Sequence, residues 1–163
     1  MARKVAYSAM LTALAMIFSY VEALIPFSFG IPGIKLGLAN LVMVMGLFFM
    51  KPTQVLGILL ARVVLMAFLF GNMSSLIYSL AGGLLSFGVM LLLKKGKGFS
   101  MTGISMAGGV SHNVGQLLVA AMVVESKSVF YYMPILLIAG LITGMLIGIV
   151  AQRVLKYVRL ARE

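Results

Sequence analysis

The stretch GISMAGGVSHNVGQLLVAAMVV, Gly103 to Val124, carries both the fold and the functional question of this chain. It is apolar for about 20 residues, long enough to cross a bilayer as a helix, yet it contains Ser111-His112-Asn113-Val114-Gly115-Gln116. An imidazole or amide left unsatisfied in hydrocarbon costs roughly 2–7 kcal/mol. These groups must therefore face the protein interior or a wet cavity. On a helix His112 and Gln116 share a face, Asn113 lies about 100° round, and His112 falls about 13 Å past Gly103, near the bilayer middle. The run reads either as interhelical hydrogen bonding that fixes packing or as the lining of a ligand or proton pathway.

The rest of the chain repeats the apolar pattern. Hydrophobic residues make up 63% of the 163 and charged residues only 10%, against roughly 25% charged in soluble domains. The sequence predicts one all-α integral membrane domain, residues 1–163, of about six transmembrane helices. The spans are expected near Val5–Leu24, Leu36–Met50, Pro52–Phe70, Ser74–Leu93, Gly103–Val124 and Phe130–Val154. The second is short, and Pro26, Gly30, Pro32 and Gly33 break regular helix just before it, so Phe27 to Lys35 reads as a folded or re-entrant entrance. The first span follows Met-Ala-Arg-Lys without a convincing cleavage site and is expected to be a retained helix.

With the N-terminus in the cytoplasm, that side receives Arg3, Lys4, Lys51, Lys94, Lys95, Lys97, Arg153, Lys156, Arg159 and Arg162, and the other only Lys35 and Lys127. This bias places both termini in the cytoplasm with an even number of spans. Topology thus accounts for the net charge of +10. The basic residues are dispersed rather than gathered on a soluble face, so no nucleic-acid partner is assigned.

The acid inventory restricts chemistry sharply. Glu22, Glu125 and Glu163 are the only carboxylates, there is one His, and there is no Asp or Cys. Clustered aspartates that hold magnesium against a diphosphate, the ligand set of a metal hydrolase and a thiolate site are all missing. No Walker-type loop is present, so ATP hydrolysis would have to come from a partner. No catalytic residue, metal site or cofactor is assigned.

Binding candidates remain. Arg62, deep in the third span, must pair, meet water or snorkel; it is either a structural clamp or a ligand contact, with Glu22 one candidate partner. Lys35, Asn40, Asn72, Ser74, Ser75 and Tyr78 fall at outer loops or span ends, where they either hold a polar head group or form a solvated rim. Lys35 is favoured, because a cation on the positive-poor side attracts an anionic or phosphorylated ligand. With Arg62, His112, Asn113 and Gln116, these define the expected entrance and pocket. Ala2, Ala6, Ala9 and Ala13 form a stripe on the first helix, for packing within the chain or docking to a membrane subunit. The echo between Ser79-Leu80-Ala81-Gly82-Gly83 and Ser105-Met106-Ala107-Gly108-Gly109 reads as close helix packing. The 14 methionines read as gap fillers.

Four segments, Pro32-Gly33-Ile34-Lys35-Leu36-Gly37-Leu38-Ala39-Asn40, Ser79-Leu80-Ala81-Gly82-Gly83, His112-Asn113-Val114-Gly115-Gln116 and Gly140-Leu141-Ile142-Thr143-Gly144, resemble a bacterial membrane family. It is the heptaprenyl diphosphate synthase component I family, also called the Gx transporter family. The resemblance implies a cytoplasmic-membrane protein with a role in making the isoprenoid tail of menaquinone. Without aspartates, that role is an accessory one. The helical plan and the Ala9-x-x-x-Ala13 pattern also look like the substrate-binding subunits of energy-coupling-factor transporters, which take vitamins from the outer side. That likeness implies a membrane coupling subunit and ATPase partners. The expected function is a small-molecule binding and transport subunit for a hydrophobic or anionic ligand of isoprenoid, quinone or flavin type. The alternatives are a non-catalytic biosynthetic accessory and a structural assembly anchor.

Overall fold

A chain this apolar satisfies its backbone groups in lipid by forming helices, and the computed structural model is built from them. It describes residues 2–24, 37–71, 73–96 and 98–160, with no strand among them. The α-helices are α1 (Ala2–Leu24), α2 (Leu38–Phe49), α3 (Pro52–Phe70), α4 (Met73–Lys95), α5 (Met101–Val124) and α6 (Met133–Leu160), with a 3-10 turn at Lys127–Tyr132 before α6. All but α2 are long and apolar enough to cross a membrane, and the chain is a multi-pass membrane protein.

Local chemistry sets the boundaries. Met50 is extended, and Lys51 is extended ahead of Pro52, which disfavours helix in the residue before it and suits the first turn of α3. Gln54 Oε1 accepts a hydrogen bond from Lys51 N–H at 3.3 Å. Ser100 caps α5, its Oγ accepting from Gly103 N–H at 3.1 Å, so the helix starts two residues earlier than the apolar pattern implies. The expected sixth span is divided: Phe130 to Tyr132 belong to the 3-10 turn, and α6 continues past Val154 to Leu160. The expected entrance from Phe27 to Lys35 lies outside the described residues.

The short helix is central. At 12 residues α2 is about 18 Å long, less than the roughly 30 Å of a hydrocarbon core. It touches all five other helices and buries Ala39, Val42, Met43, Val44, Gly46 and Leu47. Its ends are held by opposite charges from its neighbours. Glu22 of α1 accepts a hydrogen bond from Gly37 N–H at the amino end, and Lys94 Nζ of α4 donates to the Leu47 carbonyl at the carboxyl end. Both charges complement the helix dipole. By contrast α1 is peripheral, with Ala15 its one buried side chain among the described residues.

Glycines set how closely α4, α5 and α6 approach. A methyl on Gly115 would stand 2.9 Å from the Ala81 carbonyl oxygen, and one on Gly144 2.7 Å from Met106 Cα. Gly109 and Gly140 likewise face each other's backbone. This close approach is the packing use of small residues in membranes, and it accounts for the echoed motifs: Gly82 meets α5, Gly83 meets Leu59, Gly108 meets Met90 and Gly109 meets α6. The core, including Met43, Leu47, Val55, Leu59, Met90 and Ile104, fills the end of the bundle where α3 begins. The end where α3 finishes is hollow.

Candidate functional site

Five helices converge on that hollow end. The last turns of α1, the start of α2, the second half of α3, the start of α4 and the middle of α5 surround a cavity of about 270 Å³. Its polar lining is Ser19, Glu22, Asn40, Arg62, Ser75, Ser79 and His112; Val63, Met66, Ala67 and Phe70 supply apolar walls. Phe70 and Gly71 are exposed and mark its rim, where Phe70 packs against Tyr20 with ring centroids 4.6 Å apart.

Arg62 lies mid-way along α3 and is 8% exposed. Its Nη1 donates to Ser19 Oγ at 3.3 Å, and Glu22 is close enough to act on it electrostatically. Ser19 and Glu22 are three residues apart on α1 and so share a face. The cavity therefore holds one guanidinium and one carboxylate amid hydroxyls, an amide and an imidazole. This set can orient a polar head group. Among the described residues there is no group of three or more His, Cys, Asp or Glu that could hold a metal ion.

Helical rotation distributes the polar run of α5 among different neighbours. His112 lines the cavity. Asn113 turns to α6, its Nδ2 donating to the Leu136 carbonyl at 2.8 Å. Gln116 is 6% exposed and packs beside Gly82 of α4, its Oε1 without a hydrogen-bond partner among the described residues. Ser111 bonds back to the Ala107 and Gly108 carbonyls of its own helix. His112 and Gln116 do share a face, the one turned to Gly82.

Of the other sequence candidates, Asn40 lines the cavity, and Tyr78 is half-buried on α4 away from the lining. Lys35 and Asn72 lie outside the described residues. Ala6, Ala9 and Ala13 are exposed on α1; Ala2 is in the same helix, its side chain outside the described set. Sequence reasoning missed Ser19, Ser79 and the Phe70 rim. The spacing of Ser19 to Glu22 was the available signal for the first.

A family model described as heptaprenyl diphosphate synthase component I matches residues 11–154. The chain belongs to the heptaprenyl diphosphate synthase component I family. The match spans every described residue of the cavity lining, from Ser19 to His112. No curated protein and no solved structure matches the chain.

Proposed function

We propose that this chain is a membrane-embedded small-molecule binding subunit that holds the polar head of an amphipathic ligand in the cavity around Arg62 and His112. The observation that carries the reading is the cavity itself: buried charge is costly in lipid, and here an arginine, a glutamate and several other polar groups converge on an open volume instead of a packed interface. At about 270 Å³ it is near the lower end of ligand sites, roughly 300–1,000 Å³. A single ring system or a short polar head suits that volume, with an isoprenoid, quinone or flavin-type remainder extending past Phe70. In the orientation favoured by charge bias, with both termini in the cytoplasm of a bacterium, the cavity opens outward. Transport would then be driven by partners, a coupling subunit and an ATPase docked on the exposed face of Ala6, Ala9 and Ala13. Binding of a vitamin, a flavin, a quinone precursor and a prenyl diphosphate to the purified chain and to His112→Ala tests the reading. One of them is expected to bind the wild type and to lose affinity in the variant; binding of none rejects it.

The family match favours a second reading, a non-catalytic membrane component of heptaprenyl diphosphate and menaquinone synthesis. A chain with no aspartate lacks the usual magnesium ligands for that catalysis, so its part would be to hold the isoprenoid product or precursor for a catalytic partner. Deleting the gene and profiling quinone tails separates the readings. Unchanged tail length and amount rejects the biosynthetic one.

A further inference from the structure

The amino end of α2 opens on the cavity and already holds an anion. α2 has no side-chain cap of its own at that end. Gly37 precedes it with φ 72°, a backbone conformation that favours glycine, and its N–H donates to Glu22 Oε1 at 2.6 Å. Helix amino ends attract anions because their N–H groups lack helical partners and the dipole is positive there. The same cavity is lined by a cation. Arg62 is 8% exposed and donates from Nη1 to Ser19 Oγ, while its Nε, closed off from solvent, has no hydrogen-bond partner among the described residues. A guanidinium offers a planar fork of N–H groups suited to a carboxylate or phosphate.

Glu22 is the carboxylate that the chain itself supplies to this place. It lies in the last turn of α1 and is half-buried. We propose that Glu22 is an internal stand-in for the ligand's anionic head: a carboxylate or phosphate group of the incoming molecule displaces it from the amino end of α2 and engages Arg62. This rests on the binding-site reading above and adds the charge of the head group and the residue that the ligand must displace. Glu22 keeps the helix end and the guanidinium compensated, and as an internal competitor it keeps affinity modest, so that a bound molecule can leave.

The chain has no cysteine, so Ser79→Cys places a single thiol in the cavity wall. Its rate of alkylation by a small maleimide, in the full-length chain in lipid nanodiscs, reports occupancy. Inorganic phosphate, inorganic diphosphate and benzoate serve as separate probes of the head-group chemistry. At least one is expected to protect the thiol, and Glu22→Gln, which keeps the shape but removes the competing charge, is expected to lower the half-protecting concentration about tenfold. Arg62→Met is expected to abolish protection in a folded protein; should it not fold, Arg62→Lys, which keeps charge but loses the fork, is expected to weaken protection about tenfold. Equal or weaker protection in folded Glu22→Gln overturns the proposal, as does protection of wild-type strength in a folded Arg62 variant. If a co-purified uncharged molecule protects and no anion does, the Glu22 proposal fails while the binding site stands. If nothing protects, both fail.

Discussion

Adding one methyl at Gly82 should both loosen the bundle and disturb the cavity. In Gly82→Ala the new carbon would stand 2.8 Å from the His112 carbonyl oxygen, 2.9 Å from Gln116 Cγ and 3.0 Å from His112 Nδ1. Carbon contacts are most favourable at about 3.5–4.0 Å, and a helix backbone cannot yield alone. We therefore expect α4 and α5 to separate by about 0.5–1 Å. Overpacking of this kind costs about 1–3 kcal/mol, offset by the roughly 0.5–1 kcal/mol gained when alanine replaces a helical glycine. The expected net loss is about 0–2.5 kcal/mol, which leaves Gly82→Ala about 1–3 kcal/mol less stable than Gly88→Ala. Because His112 lines the cavity, ligand affinity should fall about tenfold as well. Gly88→Ala is the control: a methyl there meets nothing within 4 Å on the same helix, so it should hold or raise stability. Reversible unfolding in mixed micelles, followed as denaturing detergent is titrated, measures both variants. Equal stability of Gly82→Ala and Gly88→Ala would refute the packing argument.

Lys94→Ala removes the donor to the Leu47 carbonyl and the cation 5.3 Å from the Phe48 ring centroid; the same unfolding assay should show a loss of about 1–2 kcal/mol, largely recovered in Lys94→Arg. Asn113→Leu and His112→Ala should separate packing from binding. The first removes a hydrogen bond to α6 and should cost roughly 0.6–1.7 kcal/mol of stability with ligand affinity unchanged, whereas the second should lower affinity about tenfold with less than about 1 kcal/mol of stability lost. Ala9→Leu with Ala13→Leu, on the exposed face of α1, should change stability by less than about 0.5 kcal/mol. If that face docks a coupling subunit, the double variant should no longer co-purify with it.

The apolar runs made the helices legible, because lipid leaves the backbone few other solutions. The predicted Pro52–Phe70 span coincides with α3. The caps at Ser100 and Lys51 were less visible in an apolar pattern, and the 3-10 turn before α6 was not. Shortness of the second apolar run was legible, but its central position was not: that depends on five neighbours closing around it, which no local spacing records. The same distinction holds at the site. Arg62 and His112 stood out as polar groups deep in lipid, and the cavity brings them together. Asn113 and Gln116 were equally conspicuous, yet a rotation of about 100° per residue sends Asn113 to α6 and leaves Gln116 packed against α4. Ser19 and Ser79 were ordinary serines until packing placed them at the cavity.

The central claim, that the Arg62 and His112 cavity holds a small molecule, is tested most directly by mass spectrometry of the intact chain purified gently from its own membrane. The account predicts a stoichiometric small molecule on the wild type that is depleted in folded His112→Ala and Arg62→Lys. A wild-type chain carrying none, or one retained equally by both variants, would contradict it.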